Sequence, residues 1–117
     1  MARSMTDYDL ISEIGGKVAL LDRAVKELSV RGRVYAQAEC DYKVALAKKM
    51  LVERDKGMPV TILSDVCRGD IHIAKLRFER DVAEVSYKAA QEAINSYKLQ
   101  IRILDAQVSR EWGKEGP

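Results

Sequence analysis

Apolar residues recur in steps of three and four over two long stretches of this chain, Ile11–Lys49 and Ile73–Val108. Such steps place side chains on one face of an α-helix, as in coiled coils. The first face comprises Ile11, Ile14, Val18, Leu21, Val25, Leu28, Gly32, Tyr35, Glu39, Tyr42, Leu46 and Lys49. The second comprises Ile73, Leu76, Arg80, Ala83, Tyr87, Ala90, Ile94, Tyr97, Ile101, Leu104 and Val108. We therefore expect two helices of about forty residues, each roughly 60 Å long.

Glycine and proline divide the pattern. Gly15-Gly16 interrupts it early, which predicts a short N-terminal helix, begun by a weak capping box at Thr6 and Asp9. Gly57-Met58-Pro59 predicts the end of the first arm, and Asp70 is a favourable N-cap for the second. The expected organisation is one domain, 1–117, with a first arm at about 6–56, a tip helix at 59–67 and a second arm at 70–112.

The short connector leaves only an antiparallel return between the arms. A turn centred near Asp65 makes the numbers of facing residues add to about 130, which places Tyr42 level with Tyr87 and Lys49 level with Arg80. The predicted fold is therefore all-α, a long antiparallel coiled-coil-like helical hairpin with a short tip helix and a short N-terminal helix. We expect hairpins to assemble into a multi-helix bundle.

A second apolar stripe on the last helix is the reason that we expect the hairpins to assemble. It lies about half a turn from the first stripe and comprises Phe78, Val82, Val85, Ala89, Glu92, Ser96, Leu99, Ile103 and Ala106. A helix that packs against one partner needs one apolar stripe, so a second stripe implies a second partner. The residues assigned to self-association are Phe78, Val82, Val85, Leu99 and Ile103. A weaker second stripe on the first helix comprises Leu20, Val30, Val34, Val44 and Leu51. The alternative is a monomer with a scattered apolar surface.

Net charge, apolar segment length and cysteine content restrict the expected partners and the cellular compartment. The net charge of +2 is too near neutral to indicate nucleic acid or membrane by itself. The N-terminus has no apolar run typical of a signal peptide, and no stretch is long enough for a transmembrane helix, so we expect no membrane partner. Cys40 and Cys67 fit neither a disulfide framework nor a zinc site, and a reducing compartment, the cytoplasm, is the simpler expectation.

No catalytic constellation stands out. His72 is the only histidine. It falls in the first turn of a helix, where an imidazolium is disfavoured, and no nucleophile is spaced with it. The chain has neither a glycine-rich phosphate loop nor metal-ligand spacing. We expect no enzyme activity, no catalytic residue, no metal and no cofactor.

The tip is the predicted site for a foreign partner, because it combines apolar and charged residues. The residues assigned to it are Ile62, Leu63, Val66, Arg68 and His72. The alternative is that the tip helix only plugs the end of the bundle. Residues 59–77 also superficially resemble a helix-turn-helix, but Asp65 stands where a small residue is usual, and nearby acidic residues nearly cancel the basic ones. A nucleotide could also bind between subunits beside the tyrosines of the two apolar faces, Tyr35, Tyr42, Tyr87 and Tyr97. Tyrosines in a helical core are, however, usually packing residues.

Three segments carry a resemblance to a family: YAQAECDYKVALAKK from Tyr35, GMPVTILSDVCRGD from Gly57 and EAINSYKLQIRILDAQVSREWG from Glu92. They resemble small helical proteins encoded by phages and prophages of Gram-positive bacteria. The resemblance implies a phage origin, with the host cytoplasm as the compartment, and one of three roles: an anti-defence inhibitor, a recombination or replication accessory, or a minor structural protein. Because the last helix has two apolar stripes and no catalytic grouping is found, we expect a non-enzymatic phage-type accessory protein that binds a host or phage protein stoichiometrically, for example as an inhibitor of a host defence or replication component. The alternative is a nucleic-acid or nucleotide binder, such as a recombination or replication accessory or a nucleotide sponge.

Overall fold

The structure, a computed structural model, describes the backbone of residues 7–114 and the side chains of residues 8–113. Within these residues it contains three helices: α1, Asp7–Asp55; α2, Val60–Arg68; and α3, Ile71–Lys114. The fold is all-α and hairpin-like, as predicted, with two long helices joined through a short one. No helix among the described residues has the length and apolar character needed to cross a membrane.

The short N-terminal helix is a wrong prediction, because α1 continues through Gly15 and Gly16 without a break. A glycine in a helix costs about 1 kcal/mol relative to alanine, which the neighbouring packing can offset. Leu10 is only 3% exposed, so the turn before the glycines is held by burial of its side chain. Thr6, the proposed start of the capping box, lies outside the described residues.

Contacts divide the chain into two units, and the prediction of one domain stays a prediction. One unit comprises the chain up to Leu28 together with the chain from Ala89 onward, and the other comprises Ser29–Lys88. In the first unit the buried side chains are those of Leu10, Ala90 and Ile94. Leu28 and Ile94 line the same small depression there, so the parts of α1 and α3 in this unit pack on each other.

The buried face of α1 in the first unit differs in part from the predicted one. Ile14, Leu21 and Leu28 are half-buried as expected, whereas Ile11, Val18 and Val25 are exposed. Their places are taken by residues one position earlier, namely Leu10, Lys17 and Ala24. Both stripes share Ile14, Leu21 and Leu28 and step by three and four, so periodicity alone does not decide between them.

In the second unit, α1 ends in a Schellman motif at Gly57. The Gly57 amide donates to the carbonyl of Arg54, and the Met58 amide donates to the carbonyl of Glu53. Gly57 has φ of 97°, a conformation that glycine adopts without a Cβ penalty. Pro59 then precedes α2, with φ of −59° and ψ of 139°.

α3 begins at the predicted N-cap. The Asp70 carboxylate oxygen Oδ1 accepts hydrogen bonds from the amides of His72, at 3.0 Å, and Ile73, at 3.2 Å. These amides belong to the first turn and have no partner within the helix, so the carboxylate satisfies them. The two hydrogen bonds hold the pKa of Asp70 below its usual value, with the Ile73 amide as the largest cause.

The predicted register of the second unit is wrong by about ten in the sum of facing residue numbers. Tyr35 contacts Tyr87 and Tyr42 contacts Arg80, pairs that both add to 122, and Lys49 reaches Asp70, a pair that adds to 119. Tyr42 is therefore not level with Tyr87, nor Lys49 with Arg80. The physical reason is that α2 folds with Leu63 and Cys67 buried, which lets α3 begin beside Lys49 instead of beside the end of α1.

Candidate protein-binding surface

A row of exposed and largely apolar residues follows the outer face of α3. We use this name for the stripe Phe78, Val82, Val85, Ala89, Glu92, Ser96, Leu99, Ile103 and Ala106. Every one of these residues is exposed, with Phe78 at 67% and Val85 at 68%. The predicted exposure of this stripe is found, while self-association itself stays a prediction.

The opposite face of α3 is the packed one. Each residue of the predicted seam from Ile73 to Val108 is buried or half-buried, and Ile73, Ala83, Ala90 and Ile94 are buried. The two stripes of α3 thus differ consistently in exposure along the helix. A helix with one packed apolar face and a second apolar face in solvent is typical of a surface that binds protein.

The weaker stripe on α1 is exposed in part. Val30, Val34, Val44 and Leu51 are exposed, whereas Leu20 is half-buried. Gaps of four, ten and seven are sums of threes and fours, so the four exposed residues lie on one side of α1, but they are fewer and more widely spaced than those of the stripe on α3. We therefore place the main candidate surface on α3.

Beside this stripe the second unit has a shallow groove of about 470 Å³ between α1 and α3. Val34, Leu76 and Ala83 supply its apolar lining, and Asp41 and Glu79 supply carboxylates. Reasoning from the sequence missed this groove, because the wrong register did not bring residues 33–41 beside residues 76–83.

The tip is only partly the surface that was predicted. Ile62, Val66, Arg68 and His72 are exposed, so four of the five assigned residues are accessible. Leu63 is a correction: it is 7% exposed and contributes to the core with Cys67, so a partner does not reach it. One face of α2 therefore packs inward, and its other face lies in solvent. Val60, the first residue of α2, is also exposed, at 65%.

Three basic side chains near the tip, those of Lys49, Arg54 and Lys56, have partners within the chain. Lys49 lies 3.2 Å from Glu53 and 3.7 Å from Asp70, and Lys56 lies 3.7 Å from the same Glu53 oxygen. Arg54 donates to the carbonyl of Met58. The hydrogen bond and the charge of Glu53 raise the pKa of Lys49. These contacts account for Lys49 by structural pairing with Glu53 and Asp70.

Arg80 is held in the seam by two contacts. Its guanidinium lies 4.7 Å from the centroid of the Tyr42 ring, and it donates to Asp81 through Nε and Nη2. The hydrogen bond to Asp81 is the largest cause that raises the pKa of Arg80. The planar guanidinium thus covers an aromatic face while its edge meets a carboxylate.

Tyr35 and Tyr87 form the aromatic centre of the second unit, with ring centroids 6.0 Å apart. Burial and the nearby carboxylate of Glu84 raise the pKa of Tyr35. Glu84 is in turn 2.8 Å from Lys88, whose hydrogen bond lowers the pKa of Glu84. A tyrosine pair with a satisfied hydroxyl is the packing arrangement that was weighed against nucleotide binding.

The chemistry available to the described residues is limited. Among them, no three His, Cys, Asp or Glu side chains gather in a way that could hold a metal ion. His72 is exposed at the start of α3, Cys40 is exposed on α1, and Cys67 is buried. Comparison with protein-family models gave no match, and comparisons with curated proteins and with solved structures gave none either.

Proposed function

We propose that this chain is a non-enzymatic helical protein that acts by stoichiometric binding of protein through the outer face of α3. The observation that supports this most is the exposure of the whole second stripe, in contrast to the packed first stripe on the same helix. Exposed contiguous apolar surface is costly in water and characteristic of interaction sites. The tip, with Ile62 and Val66 exposed, is a second and smaller part of this proposal.

A role as a phage-type accessory protein, such as an inhibitor of a host defence or replication component, is included in the proposal on the resemblance of residues 35–113 alone. The nucleic-acid alternative stays a prediction. The ion pairs of Lys49 and Lys56 with carboxylates reduce the positive charge that the tip offers to phosphate.

The test compares a tagged wild-type chain with variants that place a carboxylate on the outer face, Val85→Asp and Leu99→Asp. Mass in solution and protein captured from a host lysate are both measured. Ala19→Asp is the matched control, because Ala19 is exposed on α1 and lies outside the stripe. Ile94→Asp, on the packed face, is expected to lower helicity strongly, since a buried unpaired carboxylate is expensive.

We expect the wild type and Ala19→Asp to associate, with a mass above 13.2 kDa or a captured protein, and the two outer-face variants to lose that association while staying helical. Association that survives both variants would overturn the proposal. Recovery of nucleic acid alone, in a complex that weakens steeply with salt, would favour the alternative instead.

A further inference from the structure

We propose that the outer face of α3 binds the same face of a second copy of the chain, in an antiparallel dimer whose facing residue numbers add to about 181. This inference rests on the proposed function and names its first partner. All of the residues involved lie on α3, which is a single continuous helix. An isologous contact of this kind is the commonest way for identical chains to assemble.

The apolar residues fit this register. Phe78 faces Ile103 of the second copy, and Val82 faces Leu99 of the second copy. The two-fold axis repeats both pairs at the other end of the contact. Each end of the contact therefore contains two layers of apolar side chains. All four of these side chains are more than half exposed in the single chain, which leaves them available for such packing.

Most residues at the centre of the contact are small or polar. Ala89 faces Glu92 of the second copy, and Val85 faces Ser96 of the second copy. Lys88 of each copy, which pairs with Glu84 of its own chain, lies nearly level with Glu92 of the other copy. A polar residue at one seam position is a known means of fixing register in coiled coils.

Charges beside the seam match in the same register. Asp81 lies next to Arg102 of the second copy, directly at the edge of the apolar layers. Two further pairs lie one column farther out and are also of opposite sign, Arg77 with Asp105 and Glu84 with Lys98. Exposed pairs contribute little to affinity individually, but their pattern selects orientation and register.

Most of the side chains that would make these pairs are available, the exception being Glu84, which already pairs with Lys88 within the chain. Among the described residues, Arg77, Lys98, Arg102 and Asp105 form no ion pair within the chain. Asp81 accepts both hydrogen bonds of Arg80 on its Oδ1 oxygen, and neither of them ends on Oδ2.

A parallel dimer fits less well. It would set Glu92 directly against Glu92 of the second copy, where two like charges destabilise the contact. It would also pair Asp81 with Ser86, and Arg102 with Gln107, so that no opposite charges meet at the edge of the seam. The charge pattern therefore favours the antiparallel arrangement.

Charge exchange tests the register. The dimer dissociation constant is measured by analytical ultracentrifugation for the wild type, Asp81→Arg, Arg102→Asp and the double variant that carries both changes. Each single variant creates two like-charge contacts per dimer by symmetry, so we expect its dissociation constant to rise roughly tenfold. The double variant restores both attractions, and its constant returns close to that of the wild type. Arg23→Asp, an exposed charge reversal on α1, is the control and leaves the constant unchanged.

The outcomes separate this inference from the proposed function. A wild-type dimer that the double variant does not restore overturns the antiparallel register and leaves protein binding intact. A monomeric wild type that still captures a protein, and loses it on Val85→Asp, overturns the second copy as the partner but supports the proposed function. A monomeric wild type that captures a protein, and still captures it after Val85→Asp, overturns both.

Discussion

The guanidinium of Arg80 lies 4.7 Å above the centre of the Tyr42 ring, at a position where the helical seam would otherwise be apolar. Tyr42 is buried, and the Arg80 side chain is only 20% exposed. The charge is therefore used in packing the seam, with Asp81 as its partner. The outer face of α3 stays exposed.

Replacement of Arg80 tests this role. Arg80→Ala removes the cation–π contact and the packing of the stem, and we expect the free energy of unfolding to fall by roughly 1–2 kcal/mol. Arg80→Met keeps the stem without the charge, and a well-packed apolar replacement of a paired charge is close to neutral. Urea denaturation of both variants measures the difference. Equal losses in the two variants would show that the stem contributes nothing.

The helical glycines of α1 differ in surroundings and should respond oppositely. A Cβ on Gly15 meets nothing within 4 Å, whereas a Cβ on Gly32 lies 3.2 Å from Cε2 of Tyr87. We expect Gly15→Ala to stabilise the protein by about 1 kcal/mol through helix propensity. We expect Gly32→Leu to destabilise it, because the added side chain displaces the Tyr87 ring. Thermal melts that rank the two variants in the reverse order would contradict the described packing.

The helices of this chain could be predicted from the sequence, whereas the register between them could not. Steps of three and four were enough to predict both long helices and the two faces of α3. The register was not predictable, since it depends on how Leu63 and Cys67 bury α2, and neighbouring stripes such as those of Leu10 and Ile11 cannot be distinguished by period alone. The exposure of the tip was predicted in part, because four of its assigned residues are exposed whereas Leu63 packs inward, and its role in binding stays a prediction.

Two neighbouring residues of α2 separate the binding and packing roles of the tip. Leu63→Ala removes a buried side chain, and we expect it to cost roughly 2–4 kcal/mol of unfolding free energy. Ile62→Glu alters a side chain that is 48% exposed, so the fold should be retained while any partner held by the tip is lost. Arg68→Glu should behave as Ile62→Glu does. If Ile62→Glu and Arg68→Glu both keep the partner, the tip is a plug and not a docking site.

The Asp70 cap predicts a pH dependence of stability. Because the folded-state pKa of Asp70 is lowered, mainly by the amide of Ile73, its contribution is present above the ordinary carboxyl pKa of about 4 and is lost as pH falls through the folded value. Asp70→Asn keeps a capping oxygen but loses this charge. We expect its melting temperature to lie a few degrees below that of the wild type at pH 6 and to converge with it at pH 2.

Asp65→Asn is the matched control for this prediction, because Asp65 is an exposed carboxyl on α2. Its melting temperature should follow that of the wild type at both pH values. A gap between Asp70→Asn and the wild type that stays constant from pH 6 to pH 2 would contradict the role of the charged cap.

Disulfide cross-linking tests the antiparallel contact of α3 most directly. Val82 and Leu99 are both exposed and face each other between copies, so a Val82→Cys, Leu99→Cys variant with Cys40→Ser should form a covalent dimer under mild oxidation. Val82→Cys alone and Leu99→Cys alone should not, because each cysteine then lies about 25 Å along the axis from its copy. Efficient cross-linking by either single variant, or none by the pair, would contradict the account.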